Sequence, residues 1–290
     1  MKSVTVLTPT YNRAYKLINC YDSLLNQTCS DFEWIIVDDG STDNTEELVS
    51  KWIDDNRLDI HYIKKENGGK HTALNIGFKL ADSKYLIILD SDDKLTENAI
   101  EIIISTWKKH QYNNSLGVIV FLRGYTTGEI VGSKFVCPNI AMSRFKQKQV
   151  GDKAETIRTD VINRYRFPVI RGERFLAEGI MWNRIAKDYQ YLYSNETIYE
   201  CEYLEDGLSR SVKRLSITNP RGAMLLNNEK MVLPYSSVTI LKSVVLYGTY
   251  GLFAGESTIS IIKGSNRKIL SAFELPLSWL LYKCWGRMYA

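Results

Sequence analysis

The chain has 290 residues, of which 44% are hydrophobic and 24% are charged, so it has the composition of a globular protein rather than of a disordered one. Its formal net charge is +4, and the basic residues form no dense block, which argues against a nucleic-acid partner. The five cysteines are scattered along the chain and the three histidines lie far apart. We therefore expect free thiols in a reducing compartment and no zinc site.

The first 110 residues alternate short apolar runs with segments of helical spacing. The apolar runs, which predict strands, are Val4–Thr8, Glu33–Val37, Ile60–Ile63 and Lys84–Asp90. No signal peptide precedes the first of them, so a cytoplasmic protein is expected. Asp43 and Glu46 resemble a capping box that opens the second helix. This alternation predicts an α/β fold with a mostly parallel, Rossmann-like sheet and helices on both of its faces.

Acidic residues follow the strand that ends near Asp90, in the sequence Asp90-Ser91-Asp92-Asp93. Three carboxylates within four positions repel one another, and burying them is costly unless a cation balances their charge. Mn²⁺ or Mg²⁺ would suit such oxygen ligands. The alternative is that Asp92 or Asp93 caps the helix that follows.

The second half of the chain is less regular. Residues 117–121 predict a strand, 122–168 have no clear periodicity and leave room for an antiparallel strand, and 174–187 predict a helix. A further strand is expected at 197–203. The dipeptide Asn219-Pro220 indicates the start of another helix.

The segment after Pro234 alternates aromatic and aliphatic clusters with lysine and arginine. Lys242 interrupts its longest apolar run, so no bilayer span is expected. Two interpretations stay open, namely helices that lie on a membrane surface, and a helical cap or interface between two copies of the chain. We place the domain boundary between residues 1–215 and 216–290.

Four segments taken together resemble the successive signatures of glycosyltransferase family 2. They are Thr8-Pro9-Thr10-Tyr11-Asn12-Arg13, Val37-Asp38-Asp39-Gly40-Ser41-Thr42-Asp43, Asn67-Gly68-Gly69 with Ala73-Leu74-Asn75, and Asp90-Ser91-Asp92-Asp93. The resemblance covers roughly the first 125 residues closely and extends more loosely to about residue 210. It implies the GT-A fold and an inverting transfer of a sugar.

The resemblance also implies a nucleotide-sugar site and a metal site. In the first it places Pro9, Thr10, Tyr11, Asn12, Asp38, Asp39, Gly69, Lys70, Asn75, Asp90, Ser91 and Arg210, and in the second Asp92 and Asp93 with Mn²⁺ or Mg²⁺. Asp39 would accept a hydrogen bond from uracil, whereas Asp38 would either join it or form a buried turn. Lys70 would face the diphosphate or stand exposed at a helix start. Arg210 would lie on a segment that closes over the donor.

Glu178 is the residue that the resemblance implies as the general base. Family members often carry a Glu-Asp pair at the opening of a helix, whereas this chain has Gly179 in the second position. Three other acids are therefore kept as substitutes, namely Glu173, Glu205 and Asp206, and an exposed helix acid without a catalytic role is the alternative for Glu178.

The function predicted from the sequence is transfer from a UDP-sugar to a hydroxyl of a glycan or lipid-linked acceptor. The setting would be synthesis of a bacterial capsule, exopolysaccharide or other surface glycan at the inner face of the cell membrane, by a monomer or a homo-oligomer. Two rivals are a nucleotidyltransferase and a catalytically silent carbohydrate- or membrane-binding scaffold with the same fold. A dehydrogenase is disfavoured, because no glycine fingerprint follows the first strand.

Overall fold

The computed structural model describes residues 2–147, 150–201 and 208–289. The strands within these ranges are β1 (Val4–Thr10), β2 (Phe32–Asp38), β3 (Ile60–Lys64), β4 (Tyr85–Ile88), β5 (Lys94–Leu95), β6 (Leu116–Tyr125), β7 (Ala141–Met142), β8 (Lys153–Arg158) and β9 (Gln190–Cys201). The helices are α1 (Ala14–Leu25), α2 (Thr45–Asp55), α3 (Lys70–Leu80), α4 (Ala99–Lys109), α5 (Thr159–Ile162), α6 (Gly179–Asp188), α7 (Leu208–Thr218), α8 (Pro220–Lys230), α9 (Ser237–Phe253), α10 (Thr258–Gly264) and α11 (Lys268–Tyr289). A short 3-10 helix covers Arg144–Lys146.

One sheet joins these strands in the order β3-β2-β1-β4-β8-β6-β9-β5, and β7 pairs with β9. Strands β1 to β4 are parallel to one another, whereas β8 runs antiparallel between β4 and β6. The α/β fold class with a mostly parallel central sheet is therefore confirmed. The antiparallel strand for which the sequence left room between residues 122 and 168 is β8.

The central strands are covered on both faces of the sheet. Every residue of β1 is buried, and so is every residue of β2 except Glu33. Because successive side chains of a strand point to opposite faces, such a strand must have protein packed above and below it. This burial explains why the sequence shows continuous apolar runs here instead of an alternating pattern.

The predicted helical stripes of α1 and α4 are confirmed. In α1 the residues Leu17, Cys20, Tyr21 and Leu24 are buried, and α4 buries Ala99, Ile100, Ile103, Ile104 and Trp107. The helix predicted after Asn219 also forms, with Pro220 in its first turn. Proline is well tolerated there, because the first helical N–H groups have no partner within the helix.

Two helix starts differ from the prediction. The helix expected from Arg174 begins at Gly179, because the backbone N–H groups of Arg174 and Phe175 donate instead to Oδ1 of Asn219, the cap residue of α8. The capping box of Asp43 and Glu46 does not form. Asn44 occupies the cap position of α2, while the Asp43 carboxylate accepts hydrogen bonds from the backbone N–H groups of Ala14 and Thr45.

The strand expected at 197–203 also starts elsewhere than predicted. Strand β9 begins at Gln190 and pairs with β6 in parallel register. The alternating residues Tyr191, Tyr193 and Tyr199 are fully buried. The last two predicted residues of this strand, 202 and 203, lie outside the described residues.

The described residues divide into two compact units. The first comprises residues 1–166 with 184–202 and contains the sheet, and the second comprises residues 167–183 with 203–290. The second unit has its own apolar cluster, in which Met231, Val244, Tyr247 and Ile261 are buried. The boundary predicted near residue 215 stays a prediction.

The helices of the second unit are well defined at their starts. Ser236 and Ser257 each accept a hydrogen bond from the backbone N–H three residues later and so cap α9 and α10. Among the described residues, no helix is both long enough and apolar enough to cross a bilayer.

Candidate functional site

The carboxyl ends of β1, β2 and β4 meet at one edge of the sheet. Thr10 lies opposite Asp38 in the register of β1 and β2, and the backbone N–H of Leu89 donates to the carbonyl of Leu7. Asp90 follows directly. The strand pairing thus brings the predicted residues of the first unit to a common edge, where ligands of open α/β sheets bind.

Asp38 is fully buried and its carboxylate is occupied by local hydrogen bonds. Its Oδ1 accepts from the backbone N–H of Ser41 at 2.7 Å, and its Oδ2 accepts from the hydroxyl of Tyr62 at 2.6 Å. Burial and this hydrogen bond raise the pKa of Tyr62 well above its usual value, so its hydroxyl keeps its proton. These contacts favour the alternative in which Asp38 forms a buried turn.

Asp39 ties the second strand to the loop before α3. Its Oδ1 accepts from the backbone N–H of Gly68 at 2.9 Å and from Nζ of Lys65 at 2.5 Å, and its Oδ2 accepts from the N–H of Gly69 at 2.7 Å. Gly69 has a φ of +93°, which a side chain would strain. The carboxylate that would recognise uracil is therefore held at a fixed place by the loop.

The first loop supplies a hydroxyl and an aromatic ring at the same edge. The hydroxyl of Thr10 is buried and has no hydrogen-bond partner among the described residues. The ring of Tyr11 is 46% exposed. Asn12, at a φ of +51°, accepts from the N–H of Thr42 at 2.8 Å and so fixes the loop against the turn after β2. A buried hydroxyl without a partner and an exposed ring both fit a site for a ribonucleoside.

Asp90 is paired with two cations. Its Oδ1 lies 2.5 Å from Nζ of Lys70, the first residue of α3, and its Oδ2 lies 3.6 Å from Nη1 of Arg123 on β6. Burial opposes ionisation of this carboxyl, but the charges of Lys70 and Arg123 outweigh it and lower its pKa. Asp90 is therefore ionised in the folded protein. The side chain of Lys70 is only 28% exposed, so Lys70 does not stand fully exposed at the helix start.

Arg123 lies next to the acidic segment, residues 90–93. Its guanidinium stacks on the ring of Tyr199 at 4.0 Å, its Nε donates to the carbonyl of Lys153 at 2.9 Å, and Nη1 lies 3.5 Å from Oδ2 of Asp93. The hydroxyl of Tyr199 accepts from the backbone N–H of Asp90 at 2.9 Å and donates to Asp93. Arg123 and Tyr199 thus hold Asp90 and Asp93 from one side.

Lys70 and Arg123 do not fully balance the charge of the other two acids, Asp92 and Asp93. Burial and the charge of Asp90 raise the pKa of Asp92, and the same two causes raise the pKa of Asp93 to about 7, although Arg123 opposes the shift. Groups whose charged form is disfavoured in this way gain from a nearby cation. The oxygen donors present therefore fit a hard divalent metal ion.

These acids would not form a complete metal site by themselves. In the described part of the chain, no group of three or more histidine, cysteine, aspartate or glutamate side chains is arranged to hold a metal ion. Mg²⁺ is commonly held by one or two carboxylates together with substrate phosphates and water. Asp92 and Asp93 stay predicted ligands of that incomplete type.

The remaining predicted residues of the donor site are placed as follows. Pro9 is buried in β1, Ser91 is buried between the acids, and Asn75 is half-buried in α3. Arg210 belongs to α7, but its side chain lies outside the described residues. Its predicted contact with the diphosphate stays a prediction.

Glu178 belongs to the second unit and stands immediately before α6. Its carbonyl accepts from the N–H of Met181 at 2.9 Å, so it lies at the start of the helix rather than inside it, where the predicted range 174–187 had placed it, and its side chain is half-buried. Glu173 has a different task. Its two carboxylate oxygens accept from the N–H groups of Arg221 and Gly222, each at 2.7 Å, at the start of α8.

These contacts rank the acids proposed as the base. Because both oxygens of Glu173 are engaged by backbone groups, that residue is poorly suited to accept a proton from a substrate. Two substitutes, Glu205 and Asp206, lie outside the described residues. The assignment of Glu178 as the base stays a prediction.

A comparison with known families decides the identity of the fold and its class of enzyme. The model of the family described as Glycosyl transferase family 2 matches residues 5–172, more than half of the chain. The chain belongs to this family. The recognition made from the sequence motifs is therefore confirmed, although the matched region ends before Glu178.

Sequence relatives are bacterial glycosyltransferases. The glycosyltransferase GlyG of Streptococcus pneumoniae serotype 4 is 29% identical over 219 residues, which cover 68% of this chain and 69% of GlyG. The Staphylococcus aureus protein TarP, named poly(ribitol-phosphate) beta-N-acetylglucosaminyltransferase, is 36% identical over 40% of this chain and 36% of its own length. Chondroitin synthase of Pasteurella multocida is 40% identical over 37% of this chain but only 11% of the synthase.

Solved structures share the fold at low sequence identity. The structure of S. aureus TarS 1-349 in complex with UDP-GlcNAc has a TM-score of 0.56 and 18% identity, with 96% of this chain and 80% of that one covered. The mannosyltransferase PcManGT of Pyrobaculum calidifontis, in complex with GDP-Man and Mn²⁺, has a TM-score of 0.57 and 15% identity, with 99% and 82% covered. These neighbours confirm the GT-A fold.

Sequence reasoning missed three residues that shape this family 2 site, namely Lys65, Arg123 and Tyr199. A signal for Arg123 was present, because one arginine follows the apolar run from Val118 to Leu122, in which every residue is buried. A buried arginine needs an acidic partner. The sequence does not show which acid pairs with Arg123, because that pairing depends on the order of the strands in the sheet.

Loss of the Arg123 guanidinium should destabilise the protein. The Arg123→Met variant takes a cation away from both Asp90 and Asp93, and breaking buried ion pairs in this way costs about 3–5 kcal/mol. We expect that loss in urea unfolding at pH 8 in the presence of EDTA. A loss below about 1 kcal/mol would show that the pair contributes no more than a surface ion pair does.

The same variant should be less affected at acidic pH. An acid whose pKa is raised on folding stabilises the folded state in its protonated form, and that contribution is lost as the pH rises through the folded pKa, here about 7 for Asp93. Without Arg123 the pKa of Asp93 rises further. The difference in unfolding free energy between Arg123→Met and the unaltered protein should therefore be smaller at pH 5.5 than at pH 8, and Arg123→Lys serves as the charge-preserving control.

Proposed function

We propose that this protein is a metal-dependent, inverting glycosyltransferase that uses a UDP-sugar. The observation that carries the proposal is the arrangement at the carboxyl ends of β2 and β4. There Asp39 is held by the loop before α3, and Asp90, Asp92 and Asp93 lie together beside Lys70 and Arg123. Binding of a nucleotide-sugar requires a carboxylate at a fixed position to accept a hydrogen bond from the nucleobase. It also requires an acidic cluster that can hold a divalent cation against the diphosphate.

In the proposed mechanism the first unit binds and orients the donor. Asp39 would accept a hydrogen bond from the uracil ring, and Tyr11 would pack against the nucleoside. A divalent cation at Asp92 and Asp93, when bound, would offset the charge that develops on the leaving diphosphate. Lys70 would help to offset the negative charge of the leaving diphosphate, and it also keeps Asp90 ionised.

The acceptor hydroxyl is a weak nucleophile and needs a base. Glu178 would take its proton as the hydroxyl oxygen bonds to the anomeric carbon and the bond from that carbon to the diphosphate breaks. One displacement of this kind inverts the anomeric centre. We propose this role for Glu178 because Glu173, the described alternative, has both oxygens engaged at the start of α8.

We infer that the acceptor is a glycan or a lipid-linked saccharide of a bacterial surface polymer, made at the inner face of the membrane. The names of the relatives support this inference, since TarP is a poly(ribitol-phosphate) N-acetylglucosaminyltransferase and another is a chondroitin synthase. The structure of TarS with UDP-GlcNAc suggests UDP as the nucleotide, whereas PcManGT holds GDP-Man.

A donor assay tests the proposal. We expect slow release of UDP from at least one of UDP-glucose, UDP-galactose and their N-acetylated forms, because transfer to water occurs when no acceptor is present. The release should require Mn²⁺ or Mg²⁺ and should be absent with GDP-mannose. Release of GDP alone would contradict the choice of nucleotide, and no release from any donor together with no nucleotide binding would favour a catalytically silent scaffold.

A further inference from the structure

One face of α11 exposes large apolar side chains along its whole length. Ile269 is 77% exposed, Phe273 78%, Leu280 59% and Met288 63%. Such residues, spaced by multiples of three and four, lie on one side of a helix. The opposite side is packed, as the burial of Ser271 and Ser278 shows. We call the exposed side the α11 face.

The α11 face is continuous rather than a few scattered residues. Leu277, Trp279 and Cys284 are also exposed on α11, at positions between those of the four large side chains. From Ile269 to Met288 the helix rises by about 28 Å. Single exposed apolar residues are ordinary on a protein surface, but a contiguous apolar patch indicates an interaction site.

The charges on the α11 face are all positive. Lys268, Lys283 and Arg287 are exposed, whereas the single acid of this helix, Glu274, is half-buried. Nζ of Lys283 lies 5.3 Å from the ring centroid of Trp279 and 5.7 Å from that of Tyr282. A cation held against aromatic rings can keep its charge in water while its alkyl chain covers apolar surface.

We propose that the α11 face binds the surface of a membrane that contains anionic phospholipids. Helices with an apolar face and a lysine- and arginine-rich rim lie in the plane of such an interface, with the apolar residues among the acyl chains and the cations among the headgroups.

Charge complementarity selects the lipid surface over a second copy of the chain. In a symmetric dimer formed through the α11 face, the same patch of each subunit would meet its counterpart. Two patches that both carry Lys268, Lys283 and Arg287 would then meet, with no exposed acid of α11 to balance their charge. An anionic membrane supplies the negative charge that this face lacks.

This proposal goes beyond the proposed function, and its test involves no sugar transfer. The full chain is mixed with vesicles of phosphatidylcholine alone or of phosphatidylcholine and phosphatidylglycerol in equal parts, and the bound fraction is measured by sedimentation. Binding should be strong to the anionic vesicles and weak to the neutral ones. It should fall when the salt is raised from about 0.1 M to about 1 M, because the Debye length shortens from about 10 Å to about 3 Å.

Two double variants test the apolar and the basic side chains of the α11 face separately. Phe273→Ser with Leu280→Ser removes apolar side chains that are already exposed, and Lys283→Glu with Arg287→Glu reverses two charges. Each should lower the partition coefficient on anionic vesicles by at least about tenfold. The matched controls lie in the first unit, namely Tyr112→Ser with Val136→Ser, and Lys108→Glu with Lys109→Glu, and they should bind as the unaltered protein does.

The outcomes separate the interpretations. Loss of binding in both α11 variants but in neither control supports the proposal. Absence of binding to anionic vesicles, equal binding to both vesicle types, or full binding by the α11 variants would overturn it. A dimer in sedimentation velocity that Phe273→Ser with Leu280→Ser dissociates, in a chain that binds no vesicles, would assign the face to a second copy instead.

Discussion

Replacement of Asp92 by asparagine is expected to reduce sugar transfer by at least about a thousandfold. Charge stabilisation by a metal ion contributes several kcal/mol, and each 1.4 kcal/mol corresponds to a factor of ten in rate. The substitution removes one negative charge from the acidic segment with little change in volume. Because burial and Asp90 already disfavour the charged form of Asp92, the fold should not need this charge.

The control for Asp92→Asn is Asp82→Asn, which removes an exposed acid shortly before β4. Both variants should unfold at the same urea concentration as the unaltered protein or at a higher one, and only Asp92→Asn should lose UDP release and transfer. Unchanged turnover of Asp92→Asn at saturating Mn²⁺ would remove Asp92 from the proposed metal site.

Glu178→Gln should lower the transfer rate by about two to four powers of ten, the usual range for loss of a general base. The amide keeps the size of the side chain and its ability to hydrogen-bond, but it cannot accept the acceptor's proton. Donor binding should be unchanged, because that role is assigned to residues of the first unit. The measurements are single-turnover transfer from the donor and calorimetric titration with UDP.

Glu173→Gln is the informative comparison for Glu178. One of its oxygens is lost as an acceptor for the start of α8, so we expect a loss of stability of about 1–3 kcal/mol, while the rate of the folded enzyme is kept. If Glu178→Gln turns over normally and Glu173→Gln does not, the base is Glu173. If both are active, Glu205 and Asp206 become the candidates.

The parallel part of the fold can be predicted from local patterns. The runs that form β1, β2 and β4 are largely buried on both faces, so their sequences are mostly apolar and are easy to recognise. Each is followed by polar residues at its carboxyl end, and parallel pairing brings these ends together. For this reason the amino-acid sequence alone predicts that Thr10, Asp39 and Asp90 lie at one edge of the sheet.

The rest depends on contacts between distant segments. Arg123 reaches Asp93 because β8 runs between β4 and β6, and no periodicity reveals that strand order. The helical spacing predicts a start of α6 at Arg174, which is too early, because Glu173 and Asn219 form hydrogen bonds there with the start of α8 and with the backbone before α6. Local propensity yields to such tertiary contacts, since each satisfies backbone groups that a helix would otherwise use.

The central feature of the proposed enzyme is a donor site in which nucleotide and metal bind together. Calorimetric titration of the protein with UDP and with GDP, in Mn²⁺ and in EDTA, tests it most directly. We predict that UDP binds in Mn²⁺ at least about tenfold more tightly than GDP does, because Asp39 would accept from uracil, and that the chelator abolishes this binding. Binding of neither nucleotide under either condition would contradict the claim.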